Sequence, residues 1–183
     1  MMVTLSHSSS SAIATENSVS CNLGGPDFFH AENSYYRVYD LSAMGVSGSF
    51  SVQSVIVGIE TSAALGATQP ATVKIHTLTG PLTVAALNQI GTASTQIANA
   101  TATTITVPVT ATAPAGSTLV VELLTPNGQA TSNSFFIGSN TAAETGPSYI
   151  RAPDCGINDP VVADTVAAGA VMHIILDVVG TAN

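Results

Sequence analysis

Residues 33–41, Asn33-Ser34-Tyr35-Tyr36-Arg37-Val38-Tyr39-Asp40-Leu41, hold three of the four tyrosines and one of the two arginines in a chain of 183 residues. Alternation along them sets Tyr35, Arg37 and Tyr39 on one face and Tyr36, Val38 and Asp40 on the other, the period of a β-strand. One of the two faces has to be buried. Tyrosine suits that position because its ring fills apolar volume while its hydroxyl reaches a polar partner at the edge. The stretch predicts a central strand of an all-β fold, with Asp27, Glu32 and Asn33 in a loop leading into it.

Outward from this strand, the same two-residue period recurs. N-terminal to it, strands are expected over residues 3–7 and 12–20, separated by the serine run 8–11. C-terminal to it, SVQSVIVGIET (51–61) is too rich in β-branched residues for a helix. ATVKIHTL (71–78), 92–98 and 103–109 alternate again. TLVVELLT (118–125) is apolar on both faces and so belongs at the centre of a sheet. NSFFIG (133–138), PSYIRA (147–152) and 171–179 complete the set. Residues 82–90 are expected to hold the only helical turn, and residues 152–169 an acidic loop. Gly80-Pro81, Pro114-Ala115-Gly116 and Pro126-Asn127-Gly128 mark turns. Ten or so strands at this spacing predict one domain over residues 1–183, a two-sheet antiparallel β-sandwich. The long connections between strands favour a jelly-roll-like arrangement over a meander.

Three basic residues stand against eleven acidic ones, a formal net charge of −8. That balance repels phosphate backbones and anionic lipid, which argues against nucleic acid and membrane surfaces and leaves cations and neutral polymers as compatible partners. A hydrophobic content of 45% excludes disorder despite the low charge. No apolar run is long enough to cross a bilayer, and the first residues lack the basic and apolar regions of a secretory signal, so an exported form would have lost its leader. Cys21 and Cys155 lie in no CxxC and beside no histidine, which removes a metal pair and leaves either two unrelated buried thiols or one disulfide.

The segments NSYYRVYDL, SVIVGIETS, TVKIHTLTG, PAGSTLVVELLTP, SFFIGSN, GPSYIRAPDCG and MHIILDVVG, in that order, resemble a non-catalytic β-sandwich domain found appended to secreted bacterial peptidases and cell-surface proteins. The resemblance runs from about Ser18 to Gly180. It implies export, a Cys21 to Cys155 bridge, and a role in binding or attachment without turnover.

Catalytic signals are weak. No Gly-x-Ser-x-Gly elbow occurs, the four histidines are scattered singly, and Glu60 and Glu122 are acids set in apolar strands where alternation lets one point outward at no cost. Calcium is the most plausible ion, with Asp27, Glu32, Asn33, Asp154, Asp159 and Asp177 as candidate ligands, although no DxDxDG run is present. Tyr35, Arg37, Tyr39, Tyr149 and Arg151 are the candidate platform for a carbohydrate, with core packing the competing use of the tyrosines. The expectation is an extracellular binding or attachment module for a polymer or cell-surface component, its loop acids either holding a structural calcium or simply solvated. Its alternative is a subunit that polymerises with copies of itself by exchanging residues 1–17, or by packing them on a neighbour, to form a fibre or surface layer.

Overall fold

The computed structural model describes residues 1–22, 28–166 and 171–183. In chain order its strands are β1 Met2–Leu5, β2 Asn33–Asp40, β3 Phe50–Ala63, β4 Thr68–Leu78, β5 Leu87–Ala98, β6 Ala100–Ala113, β7 Thr118–Thr125, β8 Ser134–Ile137, β9 Ser139–Asn140, β10 Ser148–Ala152, β11 Ile157–Val162, β12 His173–Ile174 and β13 Leu176–Ala182. They build two large antiparallel sheets. One has the order β1-β13-β3-β6, with β8 also paired to β3; the other has the order β11-β10-β2-β7-β4-β5. The short β9 and β12 pair with each other. From β2 to β8 the chain crosses repeatedly from one sheet to the other, so the all-β sandwich of the sequence reading is the fold observed.

Each sheet turns one apolar face inward. In β6, Val107, Val109, Ala111 and Ala113 are buried, while Thr106, Pro108, Thr110 and Thr112 between them are exposed. The side chains of both sheets form one continuous core. The strand β7 lies inside the six-stranded sheet between β2 and β4, with Leu119, Val121 and Leu123 in the core and Val120, Glu122 and Leu124 on the outer face.

From β2, Tyr35, Arg37 and Tyr39 point into the space between the sheets. The Tyr35 hydroxyl donates to the carbonyl of Val19 (3.1 Å) and the Tyr39 hydroxyl to that of Leu176 (2.7 Å). Arg37 is sealed off. Its Nε and Nη2 donate to the Ile174 carbonyl (2.9 and 2.7 Å), and Nη1 to the Gly146 carbonyl (2.5 Å) and the Glu144 carboxylate (2.7 Å). Five donors on a buried guanidinium need such partners, because an unpaired charge in the core is costly.

Several expected elements come out differently. Residues 12–20 form no strand: an isolated bridge joins Ala14 to Ser139, and side chains satisfy the backbone elsewhere. Asn140 Nδ2 donates to the carbonyls of Ser10 and Ala12, while the Glu60 carboxylate accepts the amides of Glu16 and Asn17, both at 3.1 Å. The chain here is a strap across the sandwich, and β1 before it pairs with β13 of the same chain. The acidic loop contains β11. The last strand is broken at Ile175, where three chain segments meet. Gly58 N–H donates to Ile175 O, Gly138 N–H to Gly58 O, and Ile175 N–H to Gly138 O, at 2.8, 2.8 and 2.9 Å. A Cβ on Gly138 would stand 2.6 Å from the Gly58 carbonyl carbon, so only glycine lets these backbones approach. The helical turn expected in 82–90 is a single 3-10 turn, Val84–Ala86, and three more such turns follow, at Gln129–Thr131, Pro153–Cys155 and Ala163–Thr165.

Candidate functional site

The outer face of the six-stranded sheet carries the charged chemistry. Register sets Tyr149, Tyr36, Glu122 and Lys74 side by side across β10, β2, β7 and β4. Residues directly opposite in an antiparallel pair share a face, and diagonal neighbours lie within reach of long side chains. The diagonal neighbours here are Ser34, His76 and Arg151. Together with Gln89 of β5 and the apolar Val84 and Leu87, Tyr36, Lys74, His76, Glu122 and Arg151 line a hollow of about 270 Å³.

Glu122 is its floor. One carboxylate oxygen accepts from the Ser34 hydroxyl (2.8 Å) and Lys74 Nζ (3.1 Å), and the other from His76 Nε2 (2.9 Å). Burial disfavours the anion, but the His76 hydrogen bond, the Lys74 charge and the Ser34 hydroxyl outweigh it and hold the carboxyl at about 2. Since a carboxylate only accepts, His76 Nε2 carries a proton, and His76 Nδ1 is buried with no partner among the described residues. The expectation that one of Glu60 and Glu122 would point freely to solvent fails. Both are buried, and each is tied by several donors; for Glu60, burial raises the carboxyl's pKa and the amides of Asn17 and Glu16 partly offset the rise.

A latch closes one side of the hollow. The amide of Val84, in the connection entering β5, donates to Asp159 of β11 at 2.8 Å. These elements belong to opposite ends of the six-strand order, so the sheet curls far enough for its margins to meet over their own outer face. On the rim, Arg151 donates through Nε to the Asn158 carbonyl and through Nη1 to Glu32, both at 3.0 Å.

Of the platform residues read from sequence, Tyr35, Arg37 and Tyr39 are under 2% exposed and lie between the sheets, so they offer no face to a ligand. Arg151 lines the hollow. Tyr149 lies on the same face and lines a second hollow, of about 410 Å³, with His7, Val38 and Met44 among its walls. A third, of about 510 Å³, is bounded by His30, Leu65, Pro70, Pro126 and Asn133. Its inner polar groups are spent within the protein: His30 Nδ1 lies 2.8 Å from the Ala31 carbonyl and Nε2 3.0 Å from Gln69 Oε1.

The calcium candidates among the described residues are engaged with protein partners. Glu32 pairs with Arg151, Asn33 Oδ1 accepts the Cys21 amide (2.8 Å), Asp154 accepts from Asn127 (3.3 Å), and Asp159 forms the latch. Asp177 is half-buried in β13, where burial raises its pKa against the pull of Ser6, Arg37 and His7. Asp27 lies outside the described residues. Among the described residues, no three His, Cys, Asp or Glu side chains gather in a group suited to a metal ion. The two cysteines do pair: Cys21 and Cys155 form a disulfide with Cα atoms 6.0 Å apart, fixing the segment before β2 to the turn after β10.

Sequence reasoning missed Tyr36, Lys74, His76, Gln89 and Glu122 as a group. The signal available was the acid in TLVVELLT and the Lys74-x-His76 pair one strand away, since i and i+2 share a face.

No family model and no curated protein matches the chain. Among solved structures, it is similar to a chain comprising the cysteine protease and lectin-like domains of Cwp84, a surface layer associated protein of Clostridium difficile. The TM-score is 0.60 at 12% identity, over 84% of this chain and 33% of that one. The likeness is one of fold and falls in the lectin-like region of that protein. The chain spans about a third of the length of its neighbour. No helix among the described residues is long and apolar enough to cross a membrane.

Proposed function

We propose that this protein is a non-catalytic, extracellular carbohydrate-binding module whose ligand enters the hollow on the outer face of the six-stranded sheet. The observation that carries the reading is the lining: a rigid floor of Tyr36 and Glu122 fixed by strand register, with the accessible polar groups of Lys74, Gln89 and Arg151 around it and the apolar Val84 and Leu87 beside them. Sugars present hydroxyls on the ring edge and C–H groups on its faces, and such a mixed lining serves both. The likeness to a chain with a lectin-like domain supports the class, and the disulfide suits an oxidising compartment outside the cell.

Binding without turnover is favoured by how the acids are used. Glycoside hydrolysis needs two carboxyl groups facing each other across a scissile bond. Glu60 and Glu122 stand in different sheets, and both oxygens of each accept hydrogen bonds from the protein. A structural calcium is no part of this reading, because the described candidate ligands are engaged with protein partners; equal melting curves with and without chelator are expected.

Affinity electrophoresis through a panel of soluble polysaccharides tests the proposal. Retardation by at least one polymer is expected, and Gln89→Ala combined with Arg151→Ala should remove it while circular dichroism stays that of the wild type. A double variant retarded as strongly as the wild type would place binding elsewhere.

A further inference from the structure

The distribution of cations points to a ligand class. The chain has three basic residues, and Arg37 is sealed between the sheets by the carbonyls of Ile174 and Gly146 and by Glu144. The remaining two, Lys74 and Arg151, both line the 270 Å³ hollow, with side chains 25% and 23% exposed. A protein of net charge −8 therefore presents both of its accessible side-chain cations in one small concavity.

Most of the unspent hydrogen-bonding capacity of the lining is made of donors, the Gln89 carbonyl being the exception. Glu122 has already accepted three bonds, and it is 4% exposed. The unpartnered Nδ1 of His76 is closed to solvent and cannot meet a ligand. An ammonium has three N–H groups, and Lys74 spends one on Glu122. A guanidinium has five, and Arg151 uses Nε and one of Nη1, which leaves three, the Nη2 pair and the second hydrogen on Nη1. Gln89 is exposed, and its amide has no partner among the described residues.

We infer that the hollow binds an acidic sugar, its carboxylate taken by Lys74 and Arg151 and its ring lying against Val84 and Leu87. This rests on the carbohydrate reading above and narrows it. Two cations lining one hollow, with the Glu122 oxygens already engaged and the Gln89 carbonyl the one side-chain acceptor left exposed, match a carboxylate better than a neutral sugar. A volume just under the usual small-molecule range suits one ring better than a length of chain. The apolar wall separates a sugar acid from a simple carboxylate.

The test uses matched pairs that differ in one charge. Glucuronic, galacturonic and N-acetylneuraminic acids, and the methyl ester of each, are titrated into ¹⁵N-labelled wild-type protein, with sodium acetate as a further arm. At least one acid should shift the signals of Lys74, Gln89 and Arg151 and bind at least about tenfold more tightly than its ester, the difference of roughly one charge-assisted hydrogen bond. Arg151→Gln should bring the acid to the level of the ester. Lys74→Gln should weaken it as well, and because that change also touches Glu122, the rim variant carries the decision if Lys74→Gln fails to fold.

Equal binding of acids and esters at these residues would overturn the charge inference and leave the carbohydrate module standing. Acetate as tight as the sugar acids would overturn the sugar part. Shifts confined to other residues, or none from any sugar, would overturn the inference; no retardation by any polysaccharide in the electrophoresis would remove the module reading itself.

Discussion

Glu122 shows how one side chain ties the site to the stability of the sandwich. Its carboxyl is held at about 2 against an ordinary 4.5. The folded protein therefore holds the anion better than the unfolded chain does, so the stabilisation is complete above the unfolded value, falls as pH drops below it, and is gone under about 2. A shift of this size corresponds to about 3 kcal/mol. Glu122→Gln should lose most of that at pH 7, and denaturation midpoints of variant and wild type should converge as pH approaches 2. Parallel curves across that range would mean that the carboxylate contributes nothing through its charge. Gly138 makes the complementary case, in which a missing atom matters. Its Cβ would collide with backbone of β3, which has no rotamer to change, so Gly138→Ala should cost about 1–3 kcal/mol in urea unfolding.

At the scale of elements, the latch between the β4–β5 connection and β11 decides whether the outer face is flat or hollow. It is one hydrogen bond at the surface, from Val84 N–H to Asp159. Exposed contacts of this kind contribute little to global stability and much to local order. Asp159→Ala is expected to leave the melting temperature nearly unchanged and to speed hydrogen exchange at the Val84 amide selectively. Unchanged exchange there would show that the margins of the sheet are held by other contacts. The same reasoning explains why residues 12–20 read as a strand and are not one. Their burial does not alternate, since Ile13 and Ala14 and then residues 17–20 are half-buried in runs, and only Ala14 meets a strand, at Ser139 of β9. Side chains of Asn140 and Glu60 take the backbone groups that a ladder would otherwise pair.

Over the whole molecule, the disulfide closes a loop of 134 residues between positions near opposite ends of the chain. In the chain-entropy model it stabilises the fold by up to about 5 kcal/mol. The Cys21→Ser, Cys155→Ser double variant should unfold at markedly lower denaturant concentration than the oxidised protein, and added reductant should bring the wild type close to it. Insensitivity to reductant would mean that the sheets alone hold the two segments together.

Strand period, turn residues and the apolar run of β7 determined the two-sheet architecture from sequence, because alternation with a period of two is a local property that burial of one face enforces. The same logic made β2 central but left Tyr35 and Tyr39 open between a core and a ligand platform, and their burial with satisfied hydroxyls came from the structure. Which acids and bases meet was beyond that reach. Ser34, His76 and Glu122 are separated by 42 to 88 positions, and only strand order and sheet curl bring them together. Net charge spoke for cations and neutral polymers as partners, since composition averages over the surface. It took the tertiary structure to bury Arg37 and set Lys74 and Arg151 around one hollow, for electrostatic recognition follows local placement within a Debye length and not the sum over the chain.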